Sequence, residues 1–286
     1  MKKATLLIVM ISTVILFTAC AKGKTTGNNE TPKVVEKTAI PELPAKTVEE
    51  LKFEEVYASM TDRFKGEVKI TDVNQFISDL TVVLETRENF NADDLDPFYL
   101  IDKTHKVSKD YVPAGLVHLT NCEYYKVNKN NLSLRPEATQ ALKELGAAAK
   151  ADGVTLTVSS TYRSYEYQDN LFNYWVSVDG LEEAERESAR PGTSQHQLGM
   201  AMDFAPVDDA FAETEAGKWV YKNAAKFGWS LSFPQDHEDV TGYRWESWHF
   251  RYVGIPAVNL QKKYFADVQQ YMIEFIDAWC KAWEQQ

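Results

Sequence analysis

Apolar side chains recur every three or four positions in two parts of the chain, the spacing that places them on one face of an α-helix. The first part is residues 48–93, where apolar positions lie among charged residues and Asp72 stands where a helix N-cap is expected. The second part is the C-terminal stretch, whose apolar stripe consists of Leu260, Tyr264, Val268, Met272, Phe275, Trp279 and Trp283. The pattern predicts a helical segment before the main domain and one amphipathic helix at the C-terminus.

Between these two parts, helical and strand spacing follow one another without a regular order. Residues 154–160 alternate apolar and polar side chains, which predicts a strand with one buried face. Residues 134–150 have helical spacing, with Pro136 suited to the first helical position. Further helices are expected at 165–178 and 216–226, and further strands at 199–204 and 248–253. This mixture predicts an α+β fold with a central antiparallel sheet and flanking helices.

Residues 1–19 have the pattern of an export signal, because two lysines precede a stretch that is apolar or small at nearly every position. The stretch is shorter than the roughly 18–20 residues that a membrane-spanning helix needs. The sequence Phe17–Cys20 resembles the cleavage box of bacterial lipoproteins, although leucine is usual at the position of Phe17. We therefore expect cleavage before Cys20 and a lipid on its sulfur. The alternative is a plain signal peptide with an incidental cysteine.

The rest of the chain divides by composition into four segments. Residues 20–47 have few apolar side chains and scattered prolines, so they should form a flexible tether. A helical lead-in is expected at 48–95, the main domain at 96–257 and the amphipathic helix at 258–286. Together with the lipid, this organisation predicts a monomer anchored to the extracytoplasmic face of a membrane.

The net charge and the cysteine content restrict which partners and metal sites the protein can have. The formal net charge is −11, which argues against a nucleic-acid partner because phosphate contacts need clustered lysine and arginine. Apart from Cys20, the cysteines are Cys122 and Cys280. In an exported protein these two could form a disulfide, and two independent thiols are an equal alternative. Four-cysteine metal sites are excluded by number.

One histidine stands in a segment that brings metal-binding side chains together. Side chains alternate in an extended strand, so Met202 and Phe204 would share a buried face and leave Asp203 on the opposite face. Gly199 would let the chain bend. The imidazole of His196 would then come beside the carboxylate of Asp203.

A second segment supplies His249, with Glu246 three residues before it. Two imidazoles and one carboxylate form the ligand set of a catalytic zinc site, which leaves a fourth position for water. We therefore predict Zn²⁺ at His196, Asp203 and His249, with Glu246 as the base that takes a proton from the water. In a straight strand residues 246 and 249 would point to opposite faces, so Glu246 must lie before the strand or at a bend.

Three blocks in a fixed order resemble the VanY-type D-alanyl-D-alanine carboxypeptidases. The blocks are Tyr162-Arg163-Ser164 followed by Gln168, then Ser194-x-His196-x-x-Gly199-x-Ala201-x-Asp203, then Glu246-x-Trp248-His249. The similarity extends from about Leu100 to about Pro256, which is more than half of the chain. This family is part of a wider metallopeptidase fold shared with lysostaphin-like endopeptidases and the hedgehog signalling domain.

The resemblance implies the same ligands and the same base, and it adds substrate-binding residues. Arg163, Gln168 and Ser194 match family positions that hold the substrate. A guanidinium suits a carboxypeptidase because it binds a terminal carboxylate through two charge-assisted hydrogen bonds. The implied substrate is the stem peptide of peptidoglycan. Gln195 departs from the family pattern, since an acidic residue is common at this position.

The resemblance leaves the substrate open. A DD-carboxypeptidase, which removes D-alanine from pentapeptide stems, and an LD-carboxypeptidase, which acts on tetrapeptide stems, would use the same metal and base. A lipoprotein that binds wall peptides without cleaving them is the alternative from another class. His237 lies in an acidic loop that resembles a metal cluster by composition, but its density of acids favours a solvated rim. We expect His105 and His118 to be packing or surface residues.

Overall fold

The structure, a computed structural model, describes residues 45–90 and 94–284. The predicted export signal, Cys20 and most of the predicted tether lie outside these residues. Among the described helices, none is both long enough and apolar enough to cross a lipid bilayer.

The segment before the main domain is helical, as its spacing predicts. Its helices are α1 (Val48–Ser59), α2 (Asp62–Glu67) and α3 (Val73–Glu85). Thr47 caps α1 and forms a reciprocal pair of hydrogen bonds with Glu50. The predicted cap Asp72 accepts a hydrogen bond from the backbone of Gln75 at the start of α3. Local side chains therefore fix where these helices begin.

The strands form a small two-stranded sheet and a five-stranded central sheet. They are β1 (Val117–His118), β2 (Tyr125–Val127), β3 (Ser133–Leu134), β4 (Leu156–Ser160), β5 (Ala201–Phe204), β6 (Trp229–Leu231) and β7 (His249–Tyr252). The central sheet has the order β2-β4-β5-β7-β6, and β1 pairs with β3. Three of the central pairings are antiparallel, as expected, but β2 runs parallel to β4. The sheet is therefore mixed.

The parallel pair has a direct topological cause. Between β2 and β4 the chain passes through α4 (Pro136–Ala151), and such a crossover returns the next strand in the same direction. The proline stands at the first helical position, as predicted. The expectation of one buried face on β4 is wrong, because Leu156 and Val158 lie in the apolar core while Ser159 and Ser160 are buried on the side of a cleft.

The remaining helices differ from the prediction in two places. They are α5 (Tyr165–Glu187), α6 (Glu215–Asn223), α7 (Glu238–Thr241), α8 (Ile255–Tyr264) and α9 (Gln269–Glu284). Helix α5 is longer than expected and is kinked at Gly180. The C-terminal segment forms two helices instead of one, because Ala266 and Asp267 adopt φ values of 51° and 60° that no right-handed helix contains. The apolar stripe continues across this break.

Two large clusters of apolar side chains form the core of the described residues. One cluster lies between the central sheet and α4 and includes Leu142, Met202 and Phe250. The other lies among the helices, where Phe76 and Phe275 are fully buried and their rings meet edge to face. The lead-in helices thus pack on the C-terminal helices, α1 on α9 and α3 on α8.

Charged side chains of α2 hold the loop that leads towards β7. Arg63 pairs with Glu67 in its own helix and with Asp239 in α7. The Oε2 atom of Glu67 lies 2.9 Å from the Nε2 atom of His237 and accepts a hydrogen bond from the hydroxyl of Tyr271 in α9. Three elements are therefore joined at one carboxylate.

Candidate active site

A tight turn places His196 beside the central sheet. Ser194 accepts a hydrogen bond from the backbone N–H of His196 and begins a short 3-10 turn, which Gly199 ends with a φ of 68°. A Cβ atom at Gly199 would lie 3.1 Å from Leu116 and 3.2 Å from Arg135, so the position excludes a side chain. The Nδ1–H of His196 donates to the carbonyl of Thr161 at 2.7 Å. The Nε2 atom is therefore the one that faces Asp203.

Asp203 and His249 lie directly opposite each other on neighbouring strands. Their Cα atoms are register partners in the β5–β7 pair. Met202 and Phe204 point into the sheet core, which leaves Asp203 on the other face, as the alternation predicts. Its Oδ1 atom lies 3.0 Å from Nδ1 of His249, and its Oδ2 atom lies 3.3 Å from Nε2 of His196.

These three side chains form the only group of potential metal ligands found in the described part of the chain. One donor atom from each lies within 4.8 Å of the others, and all three residues are buried. The Nε2 atom of His196 and Oδ1 of Asp203 make no hydrogen bond to any described residue. Burying polar atoms without a partner is costly, so the arrangement fits a bound cation.

The protonation states of the group also suit a cation. Burial, assisted by the positive charge of Arg163, lowers the pKa of His196 to about 4, so its imidazole is neutral at physiological pH. Burial alone would raise the pKa of Asp203, but His196, His249 and Arg163 outweigh it and hold that pKa well below its usual range. A neutral imidazole and an ionised carboxylate are the forms that bind metals.

Glu246 lies in the turn before β7, which is one of the two positions that the sequence allowed. The backbone N–H of His249 donates to the carbonyl of Glu246, and this turn brings Oε2 of Glu246 to 3.4 Å from Nδ1 of His249. Burial, and then the negative charge of Asp203, raise the pKa of Glu246 well above its usual range. A carboxyl with a raised pKa beside the His196, Asp203 and His249 group is chemically able to exchange a proton with a molecule in the cleft.

Arg163 is held at the edge of this group by three hydrogen bonds. Its Nη2 atom lies 2.7 Å from Oδ2 of Asp203, its Nε–H donates to Ser160 and its Nη1–H donates to Oε1 of Gln168. Gln168 is buried behind Arg163 and donates to the carbonyl of Ala189. Of the three predicted substrate-binding residues, Arg163 and Ser194 therefore line the cleft, whereas Gln168 does not.

The group of His196, Asp203 and His249 opens into a cleft of about 370 Å³. One wall is a face of α5, on which Tyr167, Leu171 and Trp175 stand four residues apart. The rest of the lining includes Lys129, Phe233, Tyr243, Arg244 and Trp248. The sequence predicted no cleft role for any of these residues, although the i, i+4 spacing of the α5 side chains was a signal that could have found Tyr167, Leu171 and Trp175.

The remaining polar side chains of interest lie elsewhere. His237 is bonded to Glu67, His105 is exposed and bonded to Asp102, and His118 is exposed on β1. Cys122 and Cys280 are both free thiols, so the alternative of two independent cysteines is confirmed.

Comparison with known proteins identifies the family. The profile of the VanY family, described as D-alanyl-D-alanine carboxypeptidase, matches residues 131–255. The Bacillus subtilis protein YodJ, which carries the name of a carboxypeptidase, is 34% identical over 207 residues, covering 69% of this chain and 74% of YodJ. The chain belongs to the VanY-type D-alanyl-D-alanine carboxypeptidase family. The resemblance drawn from the three sequence blocks is thereby confirmed, and the chain is an enzyme of this family.

Two solved structures of related proteins support the fold. The LD-carboxypeptidase LdcB is 35% identical with a TM-score of 0.54, over 62% of this chain and 86% of LdcB. The protein VanYB, solved in complex with D-alanine-D-alanine, is 31% identical with a TM-score of 0.50, over 60% of this chain and 93% of VanYB. The predicted α+β class with helices around a central sheet is therefore confirmed for this VanY-type chain.

Proposed function

We propose that this protein is a zinc-dependent DD-carboxypeptidase that removes the C-terminal D-alanine from peptidoglycan stem peptides. The observation that carries the proposal is the buried group of His196, Asp203 and His249, which has two unpartnered donor atoms and Glu246 beside it in an open cleft. A group that only stabilised the fold would not leave buried polar atoms without partners at the bottom of a cleft.

The donor set favours zinc among the common metals. Two imidazole nitrogens and one carboxylate match the three protein ligands of catalytic zinc sites, whereas Mg²⁺ and Ca²⁺ prefer oxygen donors throughout. Zinc in such a site polarises the carbonyl of the scissile bond and lowers the pKa of a water molecule to about 7. His196, Asp203 and His249 would hold the ion.

Glu246 moves the proton in the proposed reaction. Its Oε2 atom accepts a proton from the attacking water and then donates it to the nitrogen of the leaving D-alanine. The desolvated position of the carboxyl suits this task, because a carboxyl with a raised pKa holds the proton between the two transfers.

Arg163 and Ser194 are proposed to bind the terminal carboxylate of the substrate. Both line the cleft next to the metal ligands, and the side chain of Arg163 is 17% exposed although it is bonded to Asp203. Gln168 fixes the guanidinium from behind, so its proposed contribution is to orient Arg163.

The decisive experiment follows D-alanine release from two muropeptides. One ends in L-Lys-D-Ala-D-Ala and the other in L-Lys-D-Ala, each incubated with the purified protein, with and without a chelator. We expect release from the first substrate, loss of release with the chelator and restoration by Zn²⁺. Release that survives complete chelation would contradict the metal mechanism, and wall-peptide binding without release would favour the non-catalytic alternative.

An LD-carboxypeptidase is the second candidate, and one observation favours it. LdcB, an LD-carboxypeptidase, is 35% identical to this chain and covers 62% of it. The same experiment separates the two functions, because an LD-carboxypeptidase would release D-alanine from the substrate that ends in a single D-alanine.

We further propose that the protein acts outside the membrane as a lipid-anchored monomer. The support is the sequence of residues 1–47, with Cys20 after an apolar stretch and a polar tether behind it. Metabolic labelling with an alkyne fatty acid should mark the wild-type chain and leave Cys20→Ser unmarked. Labelling of both chains would contradict Cys20 as the site of the lipid. Light scattering of the soluble protein should give the molar mass of a monomer, and a larger mass would contradict the monomer.

A further inference from the structure

We propose that Gln195 is a positioning residue that decides which ring nitrogen of His249 faces the metal. This inference rests on the proposed metal site, and it concerns a residue to which the sequence blocks assign no role. Gln195 is 7% exposed and lies in the same 3-10 turn as His196, so one turn supplies a ligand and the support of another ligand.

The proposal rests on the contact made by Nε2 of His249, the ring nitrogen that points away from Asp203. Nδ1 of His249 faces Asp203, and its Nε2 lies 3.1 Å from Oε1 of Gln195. A neutral imidazole has one ring proton, and a proton on Nε2 leaves the lone pair of Nδ1 free to bind a metal. An acceptor at Nε2 therefore stabilises the one tautomer that can act as a ligand through Nδ1.

A second donor fixes the orientation of the Gln195 amide. The hydroxyl of Ser232 donates to the same Oε1 atom at 2.7 Å, and it also lies 3.3 Å from Oε1 of Gln269. A hydroxyl has one proton, so the shorter contact to Gln195 is the one that it makes. Two donors then converge on Oε1, which turns the amide oxygen, and not its NH₂ group, towards His249.

The C-terminal helix holds this arrangement in place. Gln269, the first residue of α9, donates to the backbone carbonyl of Ser230 in β6 at 3.3 Å. The hydroxyl of Ser230 donates in turn to Gln261 of α8 at 2.8 Å. These bonds fix β6 and therefore Ser232, which immediately follows it. The support of His249 thus extends from the turn of Gln195 to the two C-terminal helices.

A glutamine also sets the charge around the metal. A carboxylate at position 195, common in the family, would accept the same proton but would add a further negative charge close to Asp203. The amide supplies the acceptor without that charge. The hydrogen bond, and not the charge, is therefore the function that we assign to Gln195.

The test measures metal affinity directly. Zn²⁺ and Co²⁺ dissociation constants are determined by chelator competition for the wild type, Gln195→Leu and Gln195→Glu. Gln195→Leu removes the acceptor and should weaken binding about 10- to 100-fold. It should also change the visible spectrum of bound Co²⁺, while Gln195→Glu restores the acceptor and returns the affinity to within severalfold of the wild type.

Gln197→Leu is the matched control. Gln197 lies in the same turn and is also buried, but its amide donates to the carbonyls of Ser108 and Tyr111, away from the ligands. This variant should lose thermal stability and keep the metal affinity and the Co²⁺ spectrum of the wild type. Equal metal affinities for the wild type and a folded Gln195→Leu would overturn the inference about Gln195 and leave the proposed function standing. A wild type that binds neither metal would overturn the proposed function instead.

Discussion

At the scale of single residues, the site depends on how burial distributes protons. Asp203 and Glu246 are both buried carboxylic acids, yet their pKa values move in opposite directions. Asp203 lies against two imidazoles and a guanidinium, which favour its ionised form. Glu246 is buried and lies near the negative charge of Asp203, and both effects disfavour its ionised form. The environment therefore gives these two carboxylic acids opposite shifts in pKa.

Replacing Glu246 by glutamine should lower kcat and leave metal binding unchanged. The amide keeps the size of the side chain but cannot carry the proton, and general-base catalysis typically contributes about 10²- to 10⁴-fold. The measurement is D-alanine release at saturating substrate, combined with zinc affinity. A Glu246→Gln variant with wild-type turnover would contradict the proposal that this residue is the base.

The raised pKa of Glu246 also predicts a pH dependence of stability. In the metal-free protein the folded state holds this proton to a higher pH than the unfolded chain, whose glutamate titrates near about 4.3. The contribution of Glu246 to stability is therefore full below that pH and is lost as pH rises through its raised pKa. Urea unfolding with a chelator should show the wild type losing stability relative to Glu246→Gln as pH rises above the ordinary titration range of a glutamate. A difference that is constant with pH would contradict the raised pKa.

At the scale of elements, short turns rather than long helices position His196 and Glu246 in the candidate site. His196 depends on the 3-10 turn that Gly199 ends, and Glu246 depends on the turn before β7. Both turns follow from local sequence, so their existence could be predicted. The partner of Arg163 could not, because Asp203 lies forty residues away along the chain and is brought close only by the pairing of β4 with β5.

Replacing Gly199 by alanine should cost stability in two ways. The φ of 68° is strained for an L-residue by about 1 kcal/mol, and the added Cβ atom would crowd Leu116, Arg135 and Pro113 at 3.1 to 3.2 Å. The turn must shift to relieve this contact, so zinc affinity should fall as well. Gly153→Ala is the control, because Gly153 has a φ of 80° with no atom within 4 Å of the added Cβ. Equal losses in the two variants, measured by urea unfolding, would mean that the crowding has no effect.

At the scale of the whole molecule, the helical lead-in is part of the same folded unit as the site. Its apolar face is buried against α8 and α9, and its charges hold α7. The sequence predicted these helices from their periodicity but not where they pack, since periodicity shows that a face is buried and not what covers it. The same limit explains why the parallel pairing of β2 with β4 was not predicted, since it joins segments on either side of α4.

Phe76→Ala should destabilise the entire protein. The ring is fully buried among the aromatic side chains of α1, α8 and α9, and truncation of such a ring costs about 3–5 kcal/mol. Val82→Ala, on the same helix but 51% exposed, should cost less than about 0.5 kcal/mol. Far-UV circular dichroism and tryptophan fluorescence should report one shared transition for Phe76→Ala. Two separated transitions would show that the lead-in unfolds independently.

Strand β5 limits how this protein can change in length. Its four residues alternate between the core and the cleft, with Met202 and Phe204 on one side and Asp203 on the other. Insertion or deletion of a single residue within it would exchange the two sides, placing a carboxylate in the apolar core and a methionine in the cleft. Length variation among relatives should therefore accumulate outside the span from His196 to Phe204, in the loops and in the second half of α5. The alternation of the strand thus constrains the spacing between His196 and Asp203, in addition to any constraint from the proposed metal site.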